Sequence, residues 1–418
     1  MTHRSRTGGP TKKRNQNKQG QTRKLHHPPP PRSSSLPPTS TTTPLPLAEG
    51  PFNPPNSELL SLIHRALHKT LSSDSFQDTI QKIKGLLYDQ KWLEVFCGPE
   101  GLLEAYAGRW VPSRAACFRE LMGSLIGELF GVDAEGEVAQ GIERLGVADE
   151  EGEEYDGGIP AGEKGEEPDC RERDITSSKS IHHILSLGGG AGSELLAVSA
   201  LIRATLLARP THHPLFTWTG IDIGRWHDVL QKLMHVVRVD WMLNEELLNI
   251  DYVQGDLLAS VDPTSEDKLK DGDGKSMEDV AARPIDLVHI MQDKPPTLIT
   301  LFFTLTELLS QSRSSTLSLL STLTAQSDPE TLFLIVDSAS DISEFSLGAQ
   351  GRKWPVYMII DTLLTRTTDG GNDGKTGGWE KIKGEDSRWF RFEEGVGAGW
   401  ACKLENTRYW YRLYKRIQ

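Results

Sequence analysis

The sequence predicts an α/β fold with a mostly parallel sheet, preceded by a helical segment. Strand-like and helix-like segments alternate between residues 182 and 339, which is typical of a parallel sheet with helices on both faces. A glycine-rich stretch, "ILSLGGGAGSELL" at 184–196, joins the first strand to the first of these helices. Acidic residues follow the second and third strands, at the edge where right-handed crossovers place a ligand.

The composition indicates packed domains with unpacked segments around them. The 418 residues suffice for two domains and tails, and the hydrophobic fraction of 37% is below the usual globular value. Four cysteines without close spacing argue against a disulfide framework or a cysteine-based zinc site, and they fit a reducing compartment. Since the sequence has neither a long apolar run nor an apolar N-terminal segment, we expect no membrane span and no secretory signal. Since the cysteines do not form a zinc site, we also expect no metal.

Residues 1–55 are predicted to form a disordered basic tail. Residues 1–48 hold nine Lys or Arg and no acid, and they are too rich in Pro, Ser, Thr and Gln to bury a core. The chain has a net charge of −12, so without these nine positive charges the rest carries −21. A basic arm on an acidic body indicates contact with nucleic acid or nuclear import. The alternative is a solvated tail without a partner.

Residues 56–145 are predicted as a helical subdomain. Apolar residues recur at spacings of three and four between residues 59 and 87. In the stretch "RWVPSRAACFRELMGSLIGELF" that follows, Pro112 and Ser113 are expected to start a helix with one apolar face.

Two polar segments are expected to lack a fold of their own. Residues 146–178 are predicted as an acidic disordered linker, because 149–174 hold twelve acids against three basic residues. A disordered insertion is predicted at 262–283, inside the domain 179–418. Its "DGDGK" lacks the alternating ligands and the closing Glu of a calcium loop, so we expect no calcium site there.

The domain 179–418 is predicted from its alternating segments. The strand candidates are 182–189, 216–224, 251–258, 284–291, 330–339, 388–393 and 407–417. The helix candidates are 193–209, 228–248 and 296–311. In the last strand, alternation puts Arg408, Trp410 and Arg412 on one face. That face either meets RNA or keeps an edge strand soluble.

The glycine stretch and two acids together indicate a binding site. Gly188, Gly190 and Gly192 follow a strand and precede a helix, where glycine lets a ligand approach the backbone and free N–H groups point toward it. Asp222 and Asp256 close the next two strands, and a carboxylate at such a position can accept hydrogen bonds from a ribose diol. The alternatives are a tight strand-to-helix turn for the glycines and a turn or helix cap for each acid.

These residues resemble the first motifs of class I S-adenosylmethionine-dependent methyltransferases, which have a Rossmann-like fold with a mostly parallel sheet. The resemblance implies that the three glycines line S-adenosylmethionine, that Asp222 binds its ribose and that Asp256 faces its adenine. Ser186 stands where the family often has an acid. A dinucleotide dehydrogenase would instead space its glycines as G-x-G-x-x-G.

A narrower resemblance rests on "RWVPSRA", "LSLGGGAGSEL", "WTGIDIGRWHDVLQKL", "LITLFFTLTELL" and "RYWYRLYKR". Over roughly residues 56–418, apart from the two acidic segments, the chain is similar to the fungal family of large-subunit ribosomal RNA (uridine-N3) methyltransferases. This implies S-adenosylmethionine as cofactor and large-subunit rRNA or a pre-ribosomal particle as partner. It also implies location in the nucleus and nucleolus, with the cytoplasm as the alternative.

Methylation at N3 of uridine needs a base, because N3 carries a proton at neutral pH. The candidates are Asp293 and Asp337, which are expected to end the fourth and fifth strands. The alternative for Asp293 is a cap of the turn before the prolines. Trp226 is expected to stack on adenine or on the target base, or to belong to the core.

Three functions remain open on the sequence alone. The first is an RNA base methyltransferase. The second is a methyltransferase that acts on protein or a small molecule. The third is a non-catalytic ribosome-assembly protein with this fold.

Overall fold

A seven-stranded sheet with helices on both faces organises the molecule. The computed structural model describes residues 55–99, 101–130, 181–208, 215–259, 283–339, 344–347, 352–365 and 378–417. These residues belong to the unit Leu45–Gln418, and the other unit, Met1–Pro44, lies outside them. The described helices are α1 (Asn56–Ala66), α2 (His68–Leu71), α3 (Phe76–Tyr88), α4 (Trp92–Phe96), α5 (Leu102–Ser124), α6 (Ile126–Phe130), α7 (Ser193–Ala208), α8 (His227–Asp240), α9 (Leu287–Asp293), α10 (Leu305–Gln311), α11 (Arg313–Gln326) and α12 (Val356–Leu364). The described strands are β1 (Ile181–Leu187), β2 (Leu215–Asp222), β3 (Leu248–Gln254), β4 (Leu298–Phe302), β5 (Leu332–Ser338), β6 (Glu344–Leu347), β7 (Arg352–Pro355), β8 (Trp379–Phe390) and β9 (Thr407–Arg416).

The sheet has the strand order β3-β2-β1-β4-β5-β9-β8. Strands β1 to β5 are parallel to one another, whereas β9 is antiparallel to both β5 and β8. The order reverses between β1 and β4, and open α/β sheets form ligand crevices at such a point, beyond the carboxyl ends of the strands. The predicted α/β fold with a mostly parallel sheet is confirmed, and the last two strands are antiparallel.

The core lies on both faces of the sheet because strand side chains alternate. On β1, Ile184 packs with α7, α8 and the N-terminal helices, whereas Leu185 packs with α9 to α12 on the other face. Helix α5 packs against α7, and α1 packs against α8. The N-terminal helices therefore share one core with the sheet.

Helix α5 runs straight through Pro112, so the expected helix start at Pro112 and Ser113 is wrong. Proline has no N–H and leaves the carbonyl four residues earlier without its helical partner. That carbonyl belongs to Gly108, and the indole Nε1–H of Trp400 donates to it at 3.2 Å. The Ser113 Oγ accepts a hydrogen bond from the Glu405 backbone N–H at 3.1 Å. The loop between β8 and β9 thus supplies the hydrogen-bond donor that the Gly108 carbonyl lacks within the helix.

Between residues 284 and 311, the predicted strand is wrong and the predicted helix is right only in its second half. The stretch expected as the fourth strand contains α9, whose start is capped by Asp286 through the His289 N–H at 2.9 Å. The stretch expected as one apolar helix contains β4, followed by α10. A short apolar run such as "LITLF" fits a buried strand or a buried helix equally well by periodicity, and its place between β1 and β5 decides the outcome.

The last strand is not an edge strand, as one interpretation of its charges required. Strand β9 lies between β5 and β8, and the Arg412 side chain is 4% exposed and ion-paired with Asp361 and Asp386. The part of this face with Trp410 and Arg412 is therefore buried and does not meet RNA, whereas Arg408, at the start of the strand, is exposed.

The predicted domain boundaries remain predictions. Helices α1 to α6 fall within the predicted segment 56–145. The basic tail, the acidic linker and the insertion 262–283 lie outside the described residues, apart from residues 55 and 283.

Candidate functional site

The turn between β1 and α7 is shaped by its glycines. Gly188 has a φ of 79°, and a Cβ atom there would lie 2.3 Å from the Thr304 Oγ1. A Cβ at Gly190 would lie 2.0 Å from Cδ1 of Trp226, and Gly192 packs closely against Leu233. Gly190 and Gly192 are therefore explained by the tight strand-to-helix turn, in which a side chain would not fit. Gly188 also lines a cavity.

That cavity lies beyond the carboxyl ends of β1 to β4, beside the reversal of strand order. It combines backbone and carboxylates from the sheet with aromatic and charged side chains from the helices. Its lining residues are Phe96, Tyr106, Arg114, Gly188, Ala191, Asp222, Ile223, Trp226, Gly255, Asp256, Leu257, Phe302, Phe303, Thr304, Glu307, Leu308 and Gln311. Phe303 has a φ of 53°, an uncommon conformation for an aromatic residue and one that marks many functional sites.

Asp222 lies at the end of β2, as predicted, with its carboxylate at the cavity wall. Its Oδ1 accepts hydrogen bonds from the Gly224 N–H at 2.8 Å and from the Trp226 Nε1–H at 2.9 Å. Its Oδ2 accepts from the Gly190 N–H at 3.1 Å. Burial raises the pKa of Asp222, and the three hydrogen bonds oppose that shift. Asp222 therefore fixes the turn and presents an acceptor to the cavity.

Asp256 follows β3 and also lines the cavity, as predicted. Its Oδ1 accepts a hydrogen bond from the Leu258 N–H at 2.8 Å. The preceding Gly255 donates its N–H to the Asp222 carbonyl at 2.9 Å, which ties the ends of β2 and β3 together. The two predicted acids thus lie on one wall.

A buried carboxylate lies beneath the glycine turn, although Ser186 stands where an acid was expected. Glu194, in the first turn of α7, is 2% exposed and accepts hydrogen bonds from the Ser186 hydroxyl and, at 2.7 Å, from the Thr300 Oγ1. Burial raises the pKa of Glu194 to about 7. The strand contributes a hydroxyl and the following helix contributes the acid.

Neither predicted base candidate lines the cavity. Asp293 is the last residue of α9 and is exposed, and β4 begins only five residues later. Its predicted place at the carboxyl end of the fourth strand is therefore wrong. Asp337 does lie near the end of β5, but it is 3% exposed and its two carboxylate oxygens accept from the N–H groups of Thr306 and Ser338, each at 2.7 Å. Asp337 thus holds the start of α10.

Glu307, the carboxylate of α10 that lines the cavity, was not predicted from the sequence. Burial and the nearby charge of Asp222 raise the pKa of Glu307, the Arg114 guanidinium opposes the shift, and the resulting pKa is about 7. Glu307 follows the carboxyl end of β4 by five residues, a position that becomes visible only when β4 is assigned correctly.

Arg114 and a group of aromatic side chains form the helical wall. The Arg114 Nη1 donates to the Tyr106 hydroxyl at 2.9 Å, and its guanidinium carbon lies 5.5 Å from the centroid of the Phe303 ring. Trp226 is 1% exposed and packs 5.8 Å from Phe96 and 5.5 Å from Tyr106, between ring centroids. Trp226 is therefore a core residue that borders the cavity.

Comparison with known proteins identifies the family. A family model described as "Putative SAM-dependent methyltransferase" matches residues 63–415. The chain belongs to this methyltransferase family. Its cofactor is S-adenosylmethionine.

A curated relative is named a 25S rRNA (uridine(2843)-N(3))-methyltransferase and comes from Saccharomyces cerevisiae. It is 26% identical over 251 residues, which cover 56% of this chain and 60% of the relative. The alignment thus spans less than two thirds of either protein.

Two solved structures are also similar to the methyltransferase. The N-methyltransferase NodS from Bradyrhizobium japonicum, in complex with S-adenosyl-L-homocysteine, is 11% identical with a TM-score of 0.25, and the match covers 58% of this chain and 81% of NodS. The glycopeptide N-methyltransferase MtfA, complexed with S-adenosylmethionine, is 10% identical with a TM-score of 0.28 over 56% of this chain and 87% of MtfA. Likeness of this degree adds nothing to the fold assignment, which rests on the strand order and the family.

The chemistry of the cavity wall fits S-adenosylmethionine. Two carboxylates lie beside the apolar side chains of Ile223 and Leu257, a combination that suits ribose hydroxyls next to an adenine ring. Gly188 brings the backbone to the same wall without a side chain.

The methyltransferase shows two further features. No described helix has both the length and the apolar character needed to cross a bilayer. In the described ranges, no three His, Cys, Asp or Glu side chains are grouped so that they could hold a metal ion.

Proposed function

We propose that this methyltransferase transfers a methyl group to N3 of a uridine in large-subunit rRNA. The observation that carries the proposal is Glu307, a cavity carboxylate whose pKa is raised to about 7, in a chain related to a rRNA (uridine-N3)-methyltransferase of yeast. A base with a pKa near the working pH is the group that an N3 proton requires.

The cofactor is assigned to the wall beyond β1 to β3. We assign the ribose to Asp222, the adenine to the apolar wall with Asp256, and close backbone approach to Gly188. Gly190 and Gly192 act indirectly by allowing the turn. Bound there, S-adenosylmethionine supplies an electrophilic methyl group on its sulfonium, so the protein mainly aligns the acceptor and removes a proton.

The base is assigned to Glu307. Its carboxylate takes the proton from uridine N3, which frees the N3 lone pair to attack the methyl carbon as the bond from that carbon to sulfur breaks. The proton ends on Glu307 and leaves to solvent after the products have gone. Asp337 contributes by holding the start of α10, two residues before the base.

Arg114 has a complementary part in this reaction. Its guanidinium lies close enough to lower the pKa of Glu307 against the effect of burial. When N3 loses its proton, negative charge spreads to the imide oxygens, and a fixed cation in a partly buried cavity stabilises that charge. Its hydrogen bond to Tyr106 fixes its position.

The substrate and location follow from the same relative and from the sequence. We assign the target to large-subunit rRNA or a pre-ribosomal particle, and the protein to the nucleus and nucleolus. The nine basic residues of 1–48, which lie outside the described residues, support this assignment.

The direct test is tritium transfer from labelled S-adenosylmethionine into purified rRNA, total protein or neither. Glu307→Gln should lower the maximal rate of RNA methylation by about 10²–10⁴-fold with little change in cofactor affinity, because it removes the base and keeps the shape of the side chain. Glu246→Gln, at an exposed position outside the cavity, is the matched control. Label in protein alone would favour a protein methyltransferase, and label in neither would favour a binding protein.

A further inference from the structure

An exposed aromatic residue on the edge strand β8 lies beside two arginines. Trp389 is 50% exposed. The guanidinium carbon of Arg391 lies 5.1 Å from the centroid of the Trp389 ring, and that of Arg408 lies 6.0 Å away. We name these three residues the cation-aromatic cluster.

The cluster lies at the same end of the sheet as the cavity. Trp389 pairs with Arg408 where β9 begins. Strand β9 is antiparallel to β5, and the Ala339 N–H, just past the carboxyl end of β5, donates to the Arg408 carbonyl at 3.2 Å. The start of β9 therefore lies beside the carboxyl ends of the parallel strands, beyond which the cavity lies.

The two arginines of the cluster keep their charge available. Among the described residues, neither Arg391 nor Arg408 has a carboxylate within ion-pair distance, whereas Arg388 and Arg412 on the same two strands each pair with two carboxylates. The only described hydrogen bond of the Arg408 guanidinium is from Nε to the Ser387 hydroxyl at 2.9 Å, which orients the group without neutralising it.

Protection of the edge strand does not explain the cluster. Charged side chains alone keep an edge strand from pairing with other chains, and β8 already carries Lys381, Lys383 and Glu380. A half-exposed tryptophan works against that purpose, since it adds apolar surface to the edge.

We propose that the cation-aromatic cluster binds single-stranded RNA next to the target nucleotide. An exposed indole offers a stacking face for a base, and two guanidinium groups without an ion pair among the described residues suit the phosphates on either side. This inference rests on the proposed RNA substrate and adds the surface that holds the strand while one base enters the cavity.

The test measures binding of a fluorescently labelled single-stranded rRNA segment by anisotropy. Trp389→Ala should weaken binding about ten- to a hundredfold, and Trp389→Phe should restore part of it, because stacking survives on a smaller ring. Arg391→Ala combined with Arg408→Ala should weaken binding and flatten its salt dependence by about 0.7 in slope for each lost phosphate contact. Tyr88→Ala, at an aromatic residue 89% exposed at the end of α3, is the matched control.

The outcomes separate this inference from the proposed function. Unchanged affinity and salt slope in all cluster variants, while the wild type methylates RNA, would overturn the cluster's role and leave the function standing. Loss of binding to a purified assembly protein with RNA affinity intact would place a protein on this surface and would also overturn it. If the wild type methylates only protein, the proposed function fails and this inference fails with it. Equal melting temperatures and cofactor affinities must accompany the expected losses.

Discussion

Glu307 is the side chain on which the proposed chemistry depends, and its pKa makes the reaction pH-dependent. A general base works only when deprotonated, so the maximal rate should rise with pH and level off above a pKa of about 7. In Glu307→Gln the rate should keep rising past that point, because ionisation of the imide in solution replaces the base. Single-turnover rates from pH 5.5 to 9 test this, and a plateau in both proteins would exclude Glu307.

Arg114 should set the position of that plateau. Because its guanidinium lowers the pKa of Glu307, Arg114→Gln should move the rising limb of the pH–rate profile to higher pH. Arg65→Gln, which removes an exposed arginine of α1 paired with Asp240, should leave the profile in place. A shift to lower pH in Arg114→Gln would contradict the assigned interaction.

The ionisation of Glu194, beneath the glycine turn, makes the stability of the protein depend on pH. Its pKa is about 7 in the folded protein and lower in the unfolded chain, so its contribution to stability is full at low pH and is lost as pH rises toward 7. Glu194→Gln cannot ionise, so its free energy of unfolding relative to wild type should rise by about 1–3 kcal/mol between pH 5 and pH 8. Urea denaturation at both pH values measures this, and an equal difference at both would contradict the buried-acid assignment.

The sequence predicted only part of the site at this scale. Asp222 and Asp256 could be predicted because each stands at the end of a strand that the sequence shows. Glu307 and Arg114 were not, because one required the correct position of β4 and the other required the packing of α5 over the sheet. No local pattern in the sequence records either.

Among the helices and strands, burial on both faces made it difficult to tell strands from helices between residues 284 and 311. The middle strands are covered on both faces, so "LITLF" carries no alternation and reads like the apolar helix around it. The glycine turn and the strands β1 and β2 were recognised because turn residues and acids mark their ends. Strand β4 shows that a fully buried strand of a parallel sheet is the hardest to recognise from its sequence, because its side chains do not alternate between apolar and polar.

The hydrogen bond from Trp400 to the Gly108 carbonyl of α5 replaces the helical bond that Pro112 cannot make, and this replacement can be tested. Trp400→Phe should lower stability by about 1–2 kcal/mol, because the Gly108 carbonyl loses its donor. In Pro112→Ala the helix regains an N–H at that carbonyl, so Trp400→Phe should cost less in that background. Urea denaturation of all four proteins completes the cycle, and equal costs in both backgrounds would show that the indole contributes packing alone.

At the scale of the whole molecule, charge is divided between a basic N-terminal segment and an acidic remainder. Removing residues 1–48 takes away nine positive charges. Cofactor affinity should stay the same, while RNA affinity should fall and its salt dependence should flatten, because fewer counterions are released. Calorimetry and anisotropy titrations at several salt concentrations measure the two effects. An unchanged salt slope would leave nuclear import as the role of this segment.

We propose that this methyltransferase modifies N3 of one uridine in large-subunit rRNA, with Glu307 as the base. Nucleoside mass spectrometry of rRNA from a strain that lacks the protein tests it most directly. We expect one N3-methyluridine to disappear, to return with the wild-type protein and to stay absent or strongly reduced with Glu307→Gln at equal protein levels. An unchanged set of rRNA methylations in the deletion strain would contradict the claim.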